Sequence, residues 1–282
     1  MKATQEILRD VKERLVSVYQ SDEAESLSMW LIEEILELKR MDILLNLTYE
    51  LNAAQQHKLE ESIARLLRQE PVQYVLGKAP FLSHEFNVRP GVLIPRPETE
   101  ELVQWILKEN AQADLRVLDI GTGSGCIPVS LSIAKPSATV YAVDISEEAL
   151  MIAKENNDLL GATVAFSRLD ILAEEIPFKN LDIVISNPPY VRNSEKQSMQ
   201  VNVLDHEPEL ALFVPDEDPL LFYRVIASKS KAALKSGGKL YFEINEVFGK
   251  EMEKLLLEEG FQEVRIEKDF RDKMRFAIAS LV

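Results

Sequence analysis

The sequence contains almost no cysteine, no long apolar run and comparatively little positive charge. Cys126 is the single cysteine among 282 residues, which excludes an intramolecular disulfide framework and any zinc site built from several cysteines. No apolar run approaches the ~18–20 residues of a membrane-spanning helix. Residues 1–6 lead straight into an amphipathic pattern, without the apolar core of a signal peptide. We therefore expect a cytoplasmic protein that does not associate with membranes.

The charge balance argues against one large class of substrates. Lys and Arg total 32 against 47 Asp and Glu, which gives a formal net charge of −15. Proteins that bind nucleic acid need a cationic surface to displace the counterions of the phosphates. No direct nucleic-acid substrate is therefore expected, and a protein partner, especially a basic one, suits this charge better.

The hydrophobic pattern changes character near residue 80. Apolar residues recur at helical spacing over 7–18, over 27–38 behind a cap at Ser21-Asp22, around Ile43, and over 52–70, where Pro71 should end the helix. This pattern predicts a small helical bundle over residues 1–79. Such a bundle is either a stabilising appendage or a module that docks a substrate.

The following residues predict a linker and then an α/β domain. Over 80–97, short apolar runs flank a Pro90-Gly91 turn, which favours a β-hairpin linker. From residue 98, helices alternate with seven predicted strands, at 116–119, 139–144, 163–166, 181–185, 239–244, 264–267 and 275–280. This alternation predicts a mostly parallel, doubly wound sheet. Ligands of such sheets bind beyond the carboxyl ends of the strands.

A glycine-rich turn follows the first of these strands. It consists of Gly121, Thr122, Gly123, Ser124 and Gly125. Glycine permits the sharp turn and a close approach of a ligand to the backbone, and the N–H groups before a helix favour an anionic or electron-rich group. The spacing differs from the Gly-x-Gly-x-x-Gly of dinucleotide sites, and the lysine of a phosphate-binding loop is missing. A tight turn without a ligand remains the alternative.

Asp144 ends the second strand. A carboxylate at this position can accept hydrogen bonds from both hydroxyls of a ribose, although it could instead cap the helix that begins near Ser146-Glu147. Together with the glycine loop, Asp144 indicates an adenosine-containing cofactor. The two features leave open whether its reactive end is a nicotinamide or a sulfonium.

The fourth strand ends in Asn187-Pro188-Pro189-Tyr190. The two prolines fix the backbone, so this segment could be a turn or could aim a carbonyl into the cleft. The side-chain oxygen of Asn187 is a second acceptor beside that carbonyl. Two adjacent acceptors match the two hydrogens of a planar –NH₂ group, and Tyr190 offers an aromatic face for stacking on it. This arrangement favours methyl transfer to nitrogen.

These segments resemble a known family. DIGTGSG, VDIS and NPPY together are similar to class I S-adenosylmethionine-dependent methyltransferases that act on a planar-amine nitrogen. Three further segments, EPVQYVLG at 70–77, LIPRPETE at 93–100 and HEP at 206–208, resemble the PrmC (HemK-type) release factor glutamine methyltransferases. The similarity covers nearly the whole chain.

The resemblance implies a fold and an activity. It implies methylation of the side-chain nitrogen (N5) of the glutamine in the Gly-Gly-Gln motif of peptide chain release factors. It further implies an N-terminal bundle (1–79) that docks the release factor, a hairpin linker (80–97) and a methyltransferase domain (98–282). That domain should contain a seven-stranded sheet whose last strand is antiparallel.

The resemblance also assigns site residues. Gly121 to Gly125 should hold the methionine end of S-adenosyl-L-methionine, Asp144 the ribose, and Asp170 with Ile171 the adenine. Asn187 to Tyr190 should hold the glutamine amide, with Asn187, Pro188 and Tyr190 in catalytic roles and Asn187 also against the cofactor. No metal is implied.

Two positions depart from the family pattern, and two other activities remain in view. Ile171 stands where some members have an aromatic residue, and Asn245 stands where glycine is common. The HEPEL segment also resembles ribosomal protein L3 glutamine methyltransferases. Adenine-amino nucleic-acid methyltransferases share NPPY but should carry a basic recognition region.

Overall fold

The computed structural model describes residues 1–282, which form two compact units. The first unit comprises residues 1–78 and 200–206, and the second comprises residues 79–199 and 207–282. None of the helices is long and apolar enough to cross a membrane.

The first unit is mainly helical. Along residues 1–78 the elements are β1 (Lys2–Ala3), α1 (Thr4–Leu15), α2 (Ser21–Leu36), α3 (Arg40–Leu44), β2 (Thr48–Tyr49), α4 (Ala53–Leu66) and α5 (Val72–Leu76). The helices bury apolar residues at helical spacing, such as Ile7, Val11 and Leu15 of α1, in one shared core. The predicted bundle is present.

Some predicted boundaries in this unit are wrong. Ser21 is the first residue of α2 rather than its cap. Helix α4 ends at Leu66, and Gln69 adopts a φ of 59°, so the chain leaves the helix before Pro71. Pro71 instead immediately precedes α5, because its fixed φ suits the entry to a helix. The antiparallel pair β1–β2 was also not predicted.

The second unit contains all but one of the elements that follow α5. In chain order, the elements after α5 are β3 (Lys78–Phe81), β4 (His84–Asn87), α6 (Pro97–Glu109), β5 (Arg116–Ile120), α7 (Cys126–Ala134), β6 (Thr139–Asp144), α8 (Glu147–Leu160), β7 (Val164–Arg168), β8 (Leu181–Ser186), β9 (Val191–Arg192), α9 (Val201–His206), α10 (Glu209–Leu212), β10 (Phe213–Val214), α11 (Leu221–Ala233), β11 (Leu234–Glu243), α12 (Gly249–Glu258), β12 (Gln262–Lys268) and β13 (Met274–Ser280). Helix α9 belongs to the first unit. Two 3₁₀ turns, Asn193–Ser198 and Glu246–Phe248, complete the set.

A seven-stranded sheet forms the centre of the second unit. Its strand order is β12-β13-β11-β8-β5-β6-β7. The five strands from β11 to β7 pair in parallel, whereas β13 pairs antiparallel with both β11 and β12. The predicted α/β fold with an antiparallel last strand is therefore confirmed. The strand order reverses beside β5, which places a crevice at the carboxyl ends of β5, β6 and β8.

The hairpin differs from the prediction in where it turns. It consists of β3 and β4 and turns at Leu82-Ser83, where Leu82 adopts a φ of 52°. The predicted turn at Pro90-Gly91 does not lead into a second strand. The reason is visible at Ile94, whose backbone N–H donates to the Glu207 carboxylate (3.2 Å) rather than to a neighbouring strand.

Candidate active site

A cavity of about 320 Å³ lies at the carboxyl edge of the sheet. Ten of the predicted site residues line it: Gly121, Thr122, Gly123, Ser124, Asp144, Asp170, Ile171, Asn187, Pro188 and Pro189. Two predicted site residues, Gly125 and Tyr190, are not among its lining residues. The crevice that the topology creates therefore brings the cofactor-type loop and the Asn-Pro-Pro segment to one space.

The glycine loop owes its shape to left-handed backbone conformations. Gly121, Gly123 and Gly125 have φ angles of 77°, 54° and 80°, values that a side chain disfavours. A Cβ on Gly121 or Gly123 would meet nothing within 4 Å, so their requirement is conformational. A Cβ on Gly125 would lie 3.0 Å from the Cβ of Ala153 in α8, so this glycine also allows close packing of α7 and α8.

Asp144 connects the end of β6 to the glycine loop. Its Oδ2 accepts a hydrogen bond from the Gly123 N–H (2.9 Å), and its Oδ1 accepts one from the Ser146 N–H (2.9 Å). The cap of α8 is Ser146, whose Oγ accepts from the Ala149 N–H (3.1 Å). Burial raises the pKa of Asp144, while the backbone donors at Gly123 and Ser146 oppose that rise. The carboxylate is thus already oriented at the cavity wall.

Asp170 and Ile171 follow β7. The Asp170 Oδ1 accepts a hydrogen bond from the Leu172 N–H (2.9 Å), which fixes the turn. Ile171 is buried and belongs to the apolar core beneath the cavity. Both residues line the cavity, and the adenine contact predicted for them stays a prediction.

Asn187 and Pro188 line the cavity, but Tyr190 makes different contacts. The Asn187 Nδ2 donates to the Thr99 Oγ1 over a long 3.4 Å. The Tyr190 ring packs against the apolar core, and its hydroxyl donates to the Glu243 Oε1 (3.3 Å). Burial raises the pKa of the Tyr190 phenol above its usual range. The stacking role predicted for this ring stays a prediction.

One buried acid next to the glycine loop, outside the cavity lining, has no hydrogen-bond partner. Asp119, in β5, is fully buried, and neither of its carboxylate oxygens has a hydrogen-bond partner. Burial raises the pKa of Asp119 to about 7, the nearby Thr122 hydroxyl lowers it in part, and Asp144 raises it further. The Thr122 hydroxyl also lacks a partner that meets hydrogen-bond geometry. Asp119 opens the DIGTGSG segment, but its place inside a predicted strand indicated no role beyond the strand.

A second buried acid was also missed. Glu243 ends β11 and is 1% exposed. Its Oε2 accepts from the Thr99 hydroxyl (2.7 Å), and Thr99 is the threonine of the IPRPETE segment. Burial raises the pKa of Glu243, whereas Thr99, Arg275 and Tyr190 lower it.

Two further contacts explain positions that the sequence left without a role. Asn245 donates from Nδ2 to the Tyr190 carbonyl (3.2 Å) and accepts from the Val247 N–H (3.2 Å), so it holds the end of the Asn-Pro-Pro-Tyr segment. The Arg96 guanidinium pairs with the buried Glu207 (2.6 Å) of the HEP segment. This pair joins two stretches that line the cavity.

The chain matches known protein families over most of its length. Residues 6–77 match the PrmC N-terminal domain family, and residues 98–209 match the methyltransferase small domain family. The chain is 49% identical over 271 residues to the release factor glutamine methyltransferase of Bacteroides thetaiotaomicron, covering 96% of this chain and 97% of that one. It is 44% identical over 259 residues to that of Flavobacterium psychrophilum, covering 90% and 91%.

A solved structure shares the fold. A methyltransferase from Pyrococcus furiosus superposes with a TM-score of 0.51 at 16% identity, covering 81% of this chain and 98% of that one. The fold, the residues of the cavity and the similarity along the full length point the same way, and the chain belongs to the release factor glutamine methyltransferase family.

Proposed function

We propose that this protein transfers the methyl group of S-adenosyl-L-methionine to the side-chain amide nitrogen (N5) of the glutamine in the Gly-Gly-Gln motif of peptide chain release factors, in the cytoplasm. One observation carries the proposal: Asp144, the glycine loop and Asn187-Pro188 line the same cavity. A donor site and an acceptor pair for a planar –NH₂ group thus face one space. The names of the relatives give the substrate.

The cavity residues fit S-adenosylmethionine. When bound, the cofactor supplies an electrophilic methyl group on a positively charged sulfur. Asp144 has both carboxylate oxygens anchored by single backbone donors, so each oxygen retains a lone pair for a ribose hydroxyl. A Cβ on Gly121 or Gly123 would meet nothing within 4 Å, which leaves the glycine loop open to the methionine end. Asp170 and Ile171 hold the adenine, and Asn187 borders the cofactor as well.

The substrate amide is a poor nucleophile, because its lone pair is delocalised into the carbonyl. The Asn187 Oδ1 and the Pro188 carbonyl accept its two N–H hydrogens and favour a more pyramidal nitrogen. The same acceptors stabilise the positive charge that develops on that nitrogen. Pro189 keeps the segment rigid, and the Tyr190 hydroxyl anchors the end of the segment by donating to the Glu243 Oε1 (3.3 Å).

No strong base is available in the cavity. No lysine or histidine lines it, and burial raises the pKa of the Cys126 thiol to about 12, which disfavours a thiolate. Catalysis therefore rests on proximity, orientation and electrostatics. The proton leaves the nitrogen after methyl transfer and passes to water.

Each part of the chain has its own role in this reaction. Residues 1–79 dock the release factor, residues 80–97 form a hairpin linker, and residues 98–282 carry out the transfer. The match of residues 6–77 to the PrmC N-terminal domain family supports the docking role. The net charge of −15 supports a protein substrate over nucleic acid.

A methyl-transfer assay tests this function. The full chain and labelled cofactor are incubated in parallel with an intact release factor, with ribosomal protein L3 and with adenine-containing DNA, and mass spectrometry locates the methyl group. A release factor whose motif glutamine is replaced by glutamate is the control. We expect labelling of the motif glutamine only. Preferential labelling of L3 or DNA, or label on the control, contradicts the proposal.

A further inference from the structure

The orientation of the Asn187 side-chain amide decides whether it can bind the substrate. An asparagine amide has an acceptor oxygen on one side and an –NH₂ donor on the other. If the –NH₂ group faced the substrate, two pairs of donor hydrogens would oppose each other. Something must therefore keep the oxygen, and not the nitrogen, towards the substrate nitrogen.

The structure contains a hydrogen-bonded chain that does this. Thr99 has a single hydroxyl hydrogen and donates it to the Glu243 Oε2 (2.7 Å). Its oxygen is then left only with lone pairs, so it can accept from the Asn187 Nδ2 (3.4 Å) but cannot donate to Oδ1. The direction of the first hydrogen bond thus sets the direction of the second.

Glu243 is held as an acceptor by its other contacts. Its Oε1 accepts from the Tyr190 hydroxyl (3.3 Å), which also has only one hydrogen. Burial raises the pKa of Glu243, and the hydrogen bond from Thr99 and the positive charge of Arg275, which is paired with the buried Asp269 (3.1 Å), oppose that rise. Thr99 and Glu243 are 3% and 1% exposed, so their hydrogen bond is shielded from bulk water.

We propose that Thr99 and Glu243 are positioning residues that fix the Asn187 amide with Oδ1 towards the substrate nitrogen. The proposal deepens the function proposed above and rests on the acceptor role of Asn187. It joins the IPRPETE and NPPY segments, which lie 88 residues apart at Thr99 and Asn187, in one hydrogen-bonded unit.

Removing or reversing the first hydrogen bond gives the test variants. Thr99→Val keeps the shape and loses the hydroxyl, whereas Thr99→Ser keeps the hydroxyl. Glu243→Gln introduces an amide –NH₂ group that can donate to the Thr99 oxygen. The Thr99 hydroxyl hydrogen would then point towards Asn187 and bind its Oδ1, which turns the Asn187 –NH₂ group towards the substrate. Single-turnover rates on intact release factor at saturating cofactor report the chemical step, and calorimetry reports cofactor affinity and folding.

We expect Thr99→Val to lower the single-turnover rate about tenfold, the equivalent of one neutral hydrogen bond, with unchanged cofactor affinity. Thr99→Ser should stay near the parent rate, and Glu243→Gln should lose at least as much as Thr99→Val. The decisive measurement is a double-mutant cycle. In an Asn187→Ala background there is no amide to orient, so Thr99→Val should have almost no further effect.

The outcomes separate this inference from the proposed function. If Thr99→Val retains the parent rate, or lowers the rate equally in both backgrounds, the positioning role is wrong while the function of Asn187 stands. If Asn187→Ala itself retains the parent rate, the acceptor role of Asn187 is wrong and the positioning role is wrong with it.

Discussion

Three carboxyl groups near the cavity differ in the partners that each one has. Asp144 accepts hydrogen bonds from two backbone N–H groups, and Glu243 accepts hydrogen bonds from two hydroxyl groups. Asp119 accepts no hydrogen bond. Partners stabilise the charged form of an acid, whereas burial alone favours the neutral form. Asp144 therefore suits the binding of hydroxyl groups and Glu243 suits the orienting of a neighbouring side chain, whereas burial without partners favours the neutral form of Asp119.

Asp144 gives a test of the cofactor site. Asp144→Ala should weaken S-adenosylmethionine binding by ~1.5–3 kcal/mol, because two ribose hydroxyls lose a charged acceptor. Titration calorimetry measures the change, with the exposed Asp114→Ala as the control. Unchanged affinity in a folded Asp144→Ala protein would show that the ribose binds elsewhere.

The titration of Asp119 should make the stability of the folded protein depend on pH. Its pKa is about 7 in the folded protein and ~3.9 in an unfolded chain, so between these values only the folded state holds the proton. The contribution of Asp119 to the free energy of unfolding is therefore fully present below about pH 4 and is lost as the pH rises through about 7. Asp119→Asn removes this titration.

The melting temperature of Asp119→Asn, relative to the parent, should therefore be higher at pH 8 than at pH 5. Both proteins are measured without cofactor by thermal unfolding, with the exposed Asp114→Asn as the control. A difference between variant and parent that does not change with pH would contradict the buried, partnerless state of Asp119.

At the scale of elements, segments with a clear hydrophobic pattern could be predicted from the sequence, whereas contacts between residues far apart in the sequence could not. Strand β6 (Thr139–Asp144) was predicted with its observed bounds, because its apolar run ends at an Asp. The hairpin turn was missed because Leu82-Ser83 carries no turn signal, whereas Pro90-Gly91 does.

The same contrast applies to the site. The glycine loop, Asp144 and Asn187 were identifiable because strand ends in a parallel sheet converge on one edge. The partners Thr99 and Glu243 are 144 residues apart, and their hydrogen bond follows from three-dimensional packing. No local pattern in a single sequence indicates it. The short elements between 187 and 220 were missed because each spans only two to six residues.

The start of α7 gives a prediction for this scale. Gly125→Ala should lower the free energy of unfolding by about 1–3 kcal/mol through overpacking against Ala153, in addition to the conformational cost of its φ of 80°. Gly161→Ala is the matched control at the end of α8, since its φ is 66° and its Cβ meets nothing within 4 Å. Urea denaturation measures the free energy of unfolding of both variants. An equal decrease in Gly125→Ala and Gly161→Ala would contradict the close packing at Gly125.

At the scale of the whole molecule, charge and exposed apolar surface bear on substrate docking. The net charge of −15 creates a field that attracts basic partners and is screened by salt. Within the first unit, Met41, Leu44 and Leu45 are 61%, 52% and 65% exposed. Their i, i+3, i+4 spacing places them on one face at α3, which suits an apolar contact with the release factor.

Substitution of this face should separate docking from chemistry. In the full chain, the double variant Met41→Ser, Leu45→Ser should lose at least tenfold in kcat/KM on intact release factor, since each buried apolar side chain contributes ~1.5–3 kcal/mol. The rate on a short Gly-Gly-Gln peptide should not change. Leu257→Ser is the control, because Leu257 lies on α12 and is 53% exposed. Equal losses on peptide and protein would contradict docking at this face.

The most direct test of the account is the single-turnover rate of Asn187→Ala on intact release factor at saturating S-adenosylmethionine. The variant leaves the glycine loop and Asp144 intact, so cofactor affinity should change little. The rate should fall ~10²–10³-fold, by analogy with the loss of one positioned electrostatic contact in other enzymes. A variant that methylates the motif glutamine at near the parent rate would show that Asn-Pro-Pro-Tyr is only a turn and would contradict the account.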